Sequence, residues 1–158
     1  MAGSEKTGPE NATADLFQER VTVVTPGSET PPDAVERVAT FWESLGSRVL
    51  RMSPESQDQA VAMTSHATHV IAASRAAATG TADLGLAASG WRDTTRIAAG
   101  DVQLWRQILL SNREQVLKSL DKFEKVLSQF RAALASGEEE SLAQLLDAGK
   151  NTRDSVGS

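Results

Sequence analysis

Hydrophobic positions along the chain change period near residue 53. Before it, Val21-Thr-Val-Val-Thr25 is a compact β-branched run closed by Pro26-Gly27, which predicts a buried strand. Pro31-Pro32 opens a helix over about Asp33–Leu45. Its apolar positions Val35, Val38, Phe41, Trp42 and Leu45 recur at helical spacing, and Gly46 supplies the stop. Ser47–Met52 alternates around Val49 and predicts a second strand. Residues 21–52 thus read as strand, helix, strand, the tail end of an α/β unit. Residues 1–20 are polar and read as loop, with a short turn at Asp15-Leu16-Phe17.

After residue 53 the pattern is helical throughout. Ser53-Pro54-Glu55 is an N-cap followed by Pro at the first helical position. The helix it starts is expected to run to about Ala78 and end at Thr79-Gly80. Its Ala-rich second half permits close helix–helix approach. Residues 80–92 read as a loop, with Asp93 capping a short helix to Ala99. Asp101 caps a long helix with Leu104, Trp105, Ile108 and Leu109 inward. Val116, Leu120, Phe123, Leu127, Phe130 and Leu134 continue that stripe until Gly137. Glu138–Ala148 is a last amphipathic helix using Leu142, Leu145 and Leu146. The closing ten residues read as a polar, frayed tail. The expected fold is mainly α: residues 53–150 form an all-helical domain after a short strand–helix–strand piece in 1–52, and 151–158 are tail. The stripe over 116–134 is more apolar than one short domain easily covers alone, so a helical homodimer is preferred to a closed monomeric bundle.

Composition narrows the function. The chain has 158 residues, 40% apolar, 23% charged, with net charge -5, room enough for one domain with a core. Mild acidity and 4% aromatics, with no Tyr, argue against a nucleic-acid binder. Cysteine is absent, which rules out disulfides and thiolate chemistry and fits a reducing cytoplasm. No apolar run approaches a membrane span, and the N-terminus lacks the apolar core of a signal peptide.

Candidate chemistry lies in two segments. Ser65-His-Ala-Thr-His69 holds both histidines of the chain, three apart and so on one helical face. Ser89-Gly-Trp-Arg-Asp-Thr-Thr-Arg-Ile-Ala98 places Arg92, Asp93 and Arg96 around Trp91. Cationic forks and titratable rings suit a small carboxylated ligand. The bland alternatives are packed or solvated imidazoles, a helix start capped by Asp93 with solvated arginines, and Trp91 and Trp105 as core. Metal binding is disfavoured, because no third ligand at a known spacing accompanies the histidines.

In order and spacing these segments resemble the prephenate dehydrogenase family. The matching pieces are Met1-Ala-Gly-Ser-Glu-Lys-Thr-Gly8, Leu16-Phe17 with Val24-Thr25-Pro26, Met52-Ser-Pro-Glu55, Ser65-His-Ala-Thr-His69, Gly90-Trp-Arg-Asp-Thr-Thr-Arg-Ile-Ala98, and Leu104-Trp-Arg106 with Leu110-Ser-Asn-Arg113. The resemblance implies a Rossmann-like NAD(P) domain followed by a helical dimerisation domain, with the active site between them. It implies oxidative decarboxylation of prephenate to 4-hydroxyphenylpyruvate, in tyrosine biosynthesis. By the same resemblance Arg96 matches the arginine that binds a substrate carboxylate. His69 matches a histidine lining the substrate or product site, and His66 its partner. Glu5 matches an acidic residue that gates the site by pairing with Arg96, and Ser4 a hydroxyl near the substrate. Trp105 matches a pocket-wall aromatic, with Ser89, Gly90 and Asp93 shaping the loop around it.

The family's catalytic histidine, in a His-Pro pair directly before the position of Met1, has no match, and no Gly-x-Gly-x-x-Gly occurs. Either Met1 is not the native start or the chain is a fragment. NAD or NADP is expected in the full-length family, with none bound to this chain alone, which is expected to be inactive by itself. The other readings are a non-catalytic helical dimerisation module that binds an aromatic keto acid or tyrosine, and a structural helical domain without ligand.

Overall fold

The computed structural model describes residues 8–157, so Ser4 and Glu5 lie outside the described residues. The fold is mainly α with one short sheet. It divides into two compact units, one ending at Val61 and the other beginning at Ala62.

In the first unit, β1 (Val21–Val24) and β2 (Arg48–Arg51) pair in parallel, with Val21 opposite Arg48 and Val24 opposite Arg51. The connecting helix α1 (Pro32–Ser44) opens with Pro at its first position, where a missing N–H costs nothing. Its Ala39 is fully buried. Trp42 meets Phe17 edge-on at 5.2 Å, which ties the helix to the turn before β1. Ser47 reinforces that link: its hydroxyl donates to the Phe17 carbonyl at 3.2 Å. Helix α2 (Pro54–Val61) comes next.

The second unit opens with a π-helical turn, Ala62–His66, which leads into α3 (Ala67–Ala78). Ala62 and Ala67 are both fully buried although five residues apart. In a regular α-helix that spacing puts side chains about 140° apart, and the wider π turn returns them to one face. Helical structure therefore reaches Ala78 as expected, through a widened turn that periodicity did not reveal.

Four expectations need correction here. The stretch 80–92 is not an open loop: Thr81–Leu86 is a 3-10 helix and α4 spans Ser89–Thr95. Trp91 anchors this segment by donating from Nε1 to the Thr79 hydroxyl at 3.0 Å. Asp93 is consequently an exposed residue inside α4 and caps nothing, since Ala88 holds the cap position. The long helix from Asp101 is in fact two, α5 (Val102–Ser111) and α6 (Arg113–Ser136), broken at Asn112. The last helix, α7 (Glu139–Asp154), outlasts the expected end at 148, helped by an ion pair from Lys150 to Asp154 one turn on.

Two expected boundaries stand. The Asp101 carboxylate accepts from Leu104 N at 2.7 Å, and Gly137 closes α6 at φ 72, a left-handed conformation suited to glycine. The core of this unit is built from small groups: Ala62, Ala67, Ala72, Val116, Ser119 and Ala133 are buried. Larger apolar side chains on α5–α7 stay outside it, with Leu110, Leu134 and Leu146 64%, 65% and 58% exposed.

Candidate functional site

The two histidines converge on one indole. Trp105, in the first turns of α5, stacks on His69 of α3 with ring centroids 3.6 Å apart and planes 14° from parallel. His66, at the end of the π turn, meets the same indole edge-on at 6.5 Å and 82°. The approach is close because Gly100 has no side chain. A Cβ there would stand 2.5 Å from Trp105 Nε1 and 3.1 Å from His69 Cε1. Asp101 then starts α5 with its carboxylate cap, which sets the helical phase of Trp105.

His69 is 6% exposed, and its Nδ1 is buried without a hydrogen-bond partner among the described residues. Burial holds its pKa below the ordinary 6.5, because the imidazolium would lose hydration. The ring is thus a neutral imidazole with a spare nitrogen in a largely dry setting. His66 Nδ1 lies 3.4 Å from the Asn112 side-chain amide.

Arg96 begins the 3-10 turn Arg96–Ala99, which packs on α3 and runs into Gly100. Its side chain is exposed, with no carboxylate within ion-pair distance among the described residues. Gly90 and Asp93 are exposed positions on α4, and Ser89 is its first residue. The structure therefore brings His66, His69 and Trp105 into contact and sets Arg96 on the adjoining turn. A Cβ built at Gly90 would meet nothing within 4 Å. Trp91, for which core packing was one expectation, is a half-buried anchor for α4. Sequence reasoning gave no role to Gly100 or Asn112. The signal for Asn112 was the Ser111-Asn112 pair, two residues that favour caps over helix interiors.

Among the described residues no group of three His, Cys, Asp or Glu could hold a metal ion, and no helix is long and apolar enough to cross a membrane. The β1–α1 connection does not fit a dinucleotide pyrophosphate. It is Thr25-Pro-Gly-Ser-Glu-Thr-Pro31 followed by Pro32 and Asp33, which puts prolines and an acid where a phosphate cradle needs free N–H groups.

A helical unit with a buried imidazole–indole stack, preceded in the chain by a parallel strand–helix–strand piece, has the makings of a ligand-binding domain joined to part of a nucleotide-binding one. Residues 53–148 match the family model for the prephenate dehydrogenase dimerization domain, and residues 1–51 that for its nucleotide-binding domain. The chain belongs to the prephenate dehydrogenase family. It is 37% identical to the cyclohexadienyl dehydrogenase of Zymomonas mobilis, over 86% of this chain and 49% of that one. To the prephenate dehydrogenase of Bacillus subtilis it is 32% identical, over 99% of this chain and 44% of that one. It therefore spans about half the length of these curated relatives. Among solved structures it resembles Synechocystis arogenate dehydrogenase, with TM-score 0.88 and 29% identity over 98% of this chain and 59% of the other. It equally resembles Aquifex aeolicus prephenate dehydrogenase in complex with hydroxyphenyl propionate and NAD+, with TM-score 0.87 and 31% identity over 99% and 57%.

Proposed function

We propose that the chain is the substrate-binding and dimerising half of a prephenate dehydrogenase. The whole enzyme would oxidatively decarboxylate prephenate, an anionic cyclohexadienyl acid, to 4-hydroxyphenylpyruvate with NAD or NADP, in the cytoplasm. The observation that carries this reading is the His69–Trp105 stack, where a buried imidazole keeps a nitrogen that no described residue uses, in the helix on which the turn starting at Arg96 packs.

In this reading Arg96 forks onto a substrate carboxylate, for which an exposed guanidinium with no ion-pair partner among the described residues is suited. Trp105 gives the ligand ring an apolar wall. Neutral His69 offers a polar group inside that wall, so a ligand hydroxyl or carbonyl need not be buried unpaired. His66 supports the indole from its edge. Gly90 and Asp93 border the site from α4. The exposed apolar faces of α5–α7 support a homodimer, as does the dimerization-domain match. No residue here matches the family's catalytic histidine, and loss of such a base costs about 10²–10⁴-fold in rate.

Calorimetric titration of the 158-residue chain with hydroxyphenyl propionate tests the site. Removing a charge-assisted hydrogen-bond pair costs about 1.5–3 kcal/mol, so Arg96→Ala is expected to weaken binding about ten- to a hundredfold. Equal affinity in the variant would remove Arg96 from the carboxylate role. Prephenate-dependent NAD(P)H formation by this chain alone would overturn the assignment of half an enzyme.

A further inference from the structure

Asn112 sits at the break between α5 and α6. Its N–H donates to the Ile108 carbonyl at 3.3 Å, and its own carbonyl accepts from Val116 N at 3.0 Å, so its backbone closes one helix and opens the next. Asparagine is favoured at such a position because its side-chain oxygen can accept an N–H of the first helical turn. Here the side chain makes no such bond. Its Nδ2 instead stands 3.4 Å from His66 Nδ1. An amide nitrogen can only donate, so Nδ1 accepts and the ring proton sits on Nε2.

The π turn explains why His66 arrives there. The Thr68 hydroxyl donates to the Met63 carbonyl, five residues back, at 3.3 Å. One extra residue in a turn rotates the helix after it by about 100° relative to the helix before it. The same turn packs on α6, where Asn112 is the cap, and the opposite constraint on the ring is the edge contact with Trp105.

We propose that Asn112 is a positioning residue for the imidazole pair: it fixes His66 as the Nε2–H tautomer and holds that ring edge-on to Trp105. Its bearing on ligand binding rests on the function proposed above; its effect on His66 does not.

The test is 15N NMR of the imidazoles in the whole chain near pH 8. With only two histidines, the His69→Gln variant assigns both spectra. Asn112→Asp and Asn112→Ser both retain a residue able to cap α6, so the helix start is preserved. His66 is expected to carry its proton on Nε2 in the native chain and on Nδ1 in Asn112→Asp, because a carboxylate only accepts. Asn112→Ser is expected to populate both tautomers. Binding of hydroxyphenyl propionate should weaken about three- to tenfold in Asn112→Asp. A native His66 protonated on Nδ1 overturns the proposal without any variant, as does an Nε2–H tautomer unchanged in Asn112→Asp. If the tautomer switches and affinity does not, the positioning role stands and the ligand role of His66 fails.

Discussion

Acidification should destabilise the helical unit through His69 before most carboxylates titrate. Two opposing effects set its charge. An imidazolium over an indole face gains about 0.5–2 kcal/mol. Against this, protonation would bury an N–H at Nδ1 with no acceptor, which costs about 1–3 kcal/mol and more for a charged group. At 6% exposure water cannot supply the missing bond, so the neutral ring is favoured and the pKa lies below 6.5. In the unfolded chain the ring titrates near 6.5. Above that value neither state holds the proton, and His69 adds no pH dependence. Between 6.5 and the lower folded value only the unfolded chain holds it. Stability then falls as pH falls, by up to about 1.4 kcal/mol per pH unit, and levels off below the folded pKa. Urea unfolding at fixed protomer concentration, from about pH 7.5 to about pH 5, measures this. The native chain is expected to lose stability over that range faster than His69→Gln. Parallel losses in the two proteins, or an NMR midpoint for His69 above 6.5, would show that stacking outweighs burial and refute the reasoning.

Asp101→Ala removes the carboxylate that accepts from Leu104 N and should cost about 1 kcal/mol in urea unfolding. Because that cap sets the phase of Trp105, its indole fluorescence should shift as well. Leu127 and Leu134 share a face of α6 and are 46% and 65% exposed. If the proposed homodimer packs through this face, changing both to Glu should leave helicity intact and give the mass of one chain by light scattering. An unchanged dimer would place the interface on another face.

Much of the local structure was legible in the chain. Val21–Val24, the Pro-opened helix with its stop at Gly46, the Asp101 cap and the break at Gly137 all arise from residues acting on their own backbone or one turn away. The shared face of His66 and His69 was legible for the same reason. Trp105 was not assignable on local grounds, since an indole inside an apolar stripe reads as core, and only the resemblance suggested a wall. The α4 helix was hidden because its support, the Trp91–Thr79 hydrogen bond, joins residues twelve apart.

The order of elements and their caps were written in neighbouring residues, where backbone preference and spacing suffice. The meeting of His69 with Trp105, the burial that keeps that ring neutral, the π turn and the turning of Asn112 away from its cap toward His66 were decided by packing. Each depends on how closely two distant helices approach, and that distance is set by Gly100 and by buried alanines whose importance no local pattern displays.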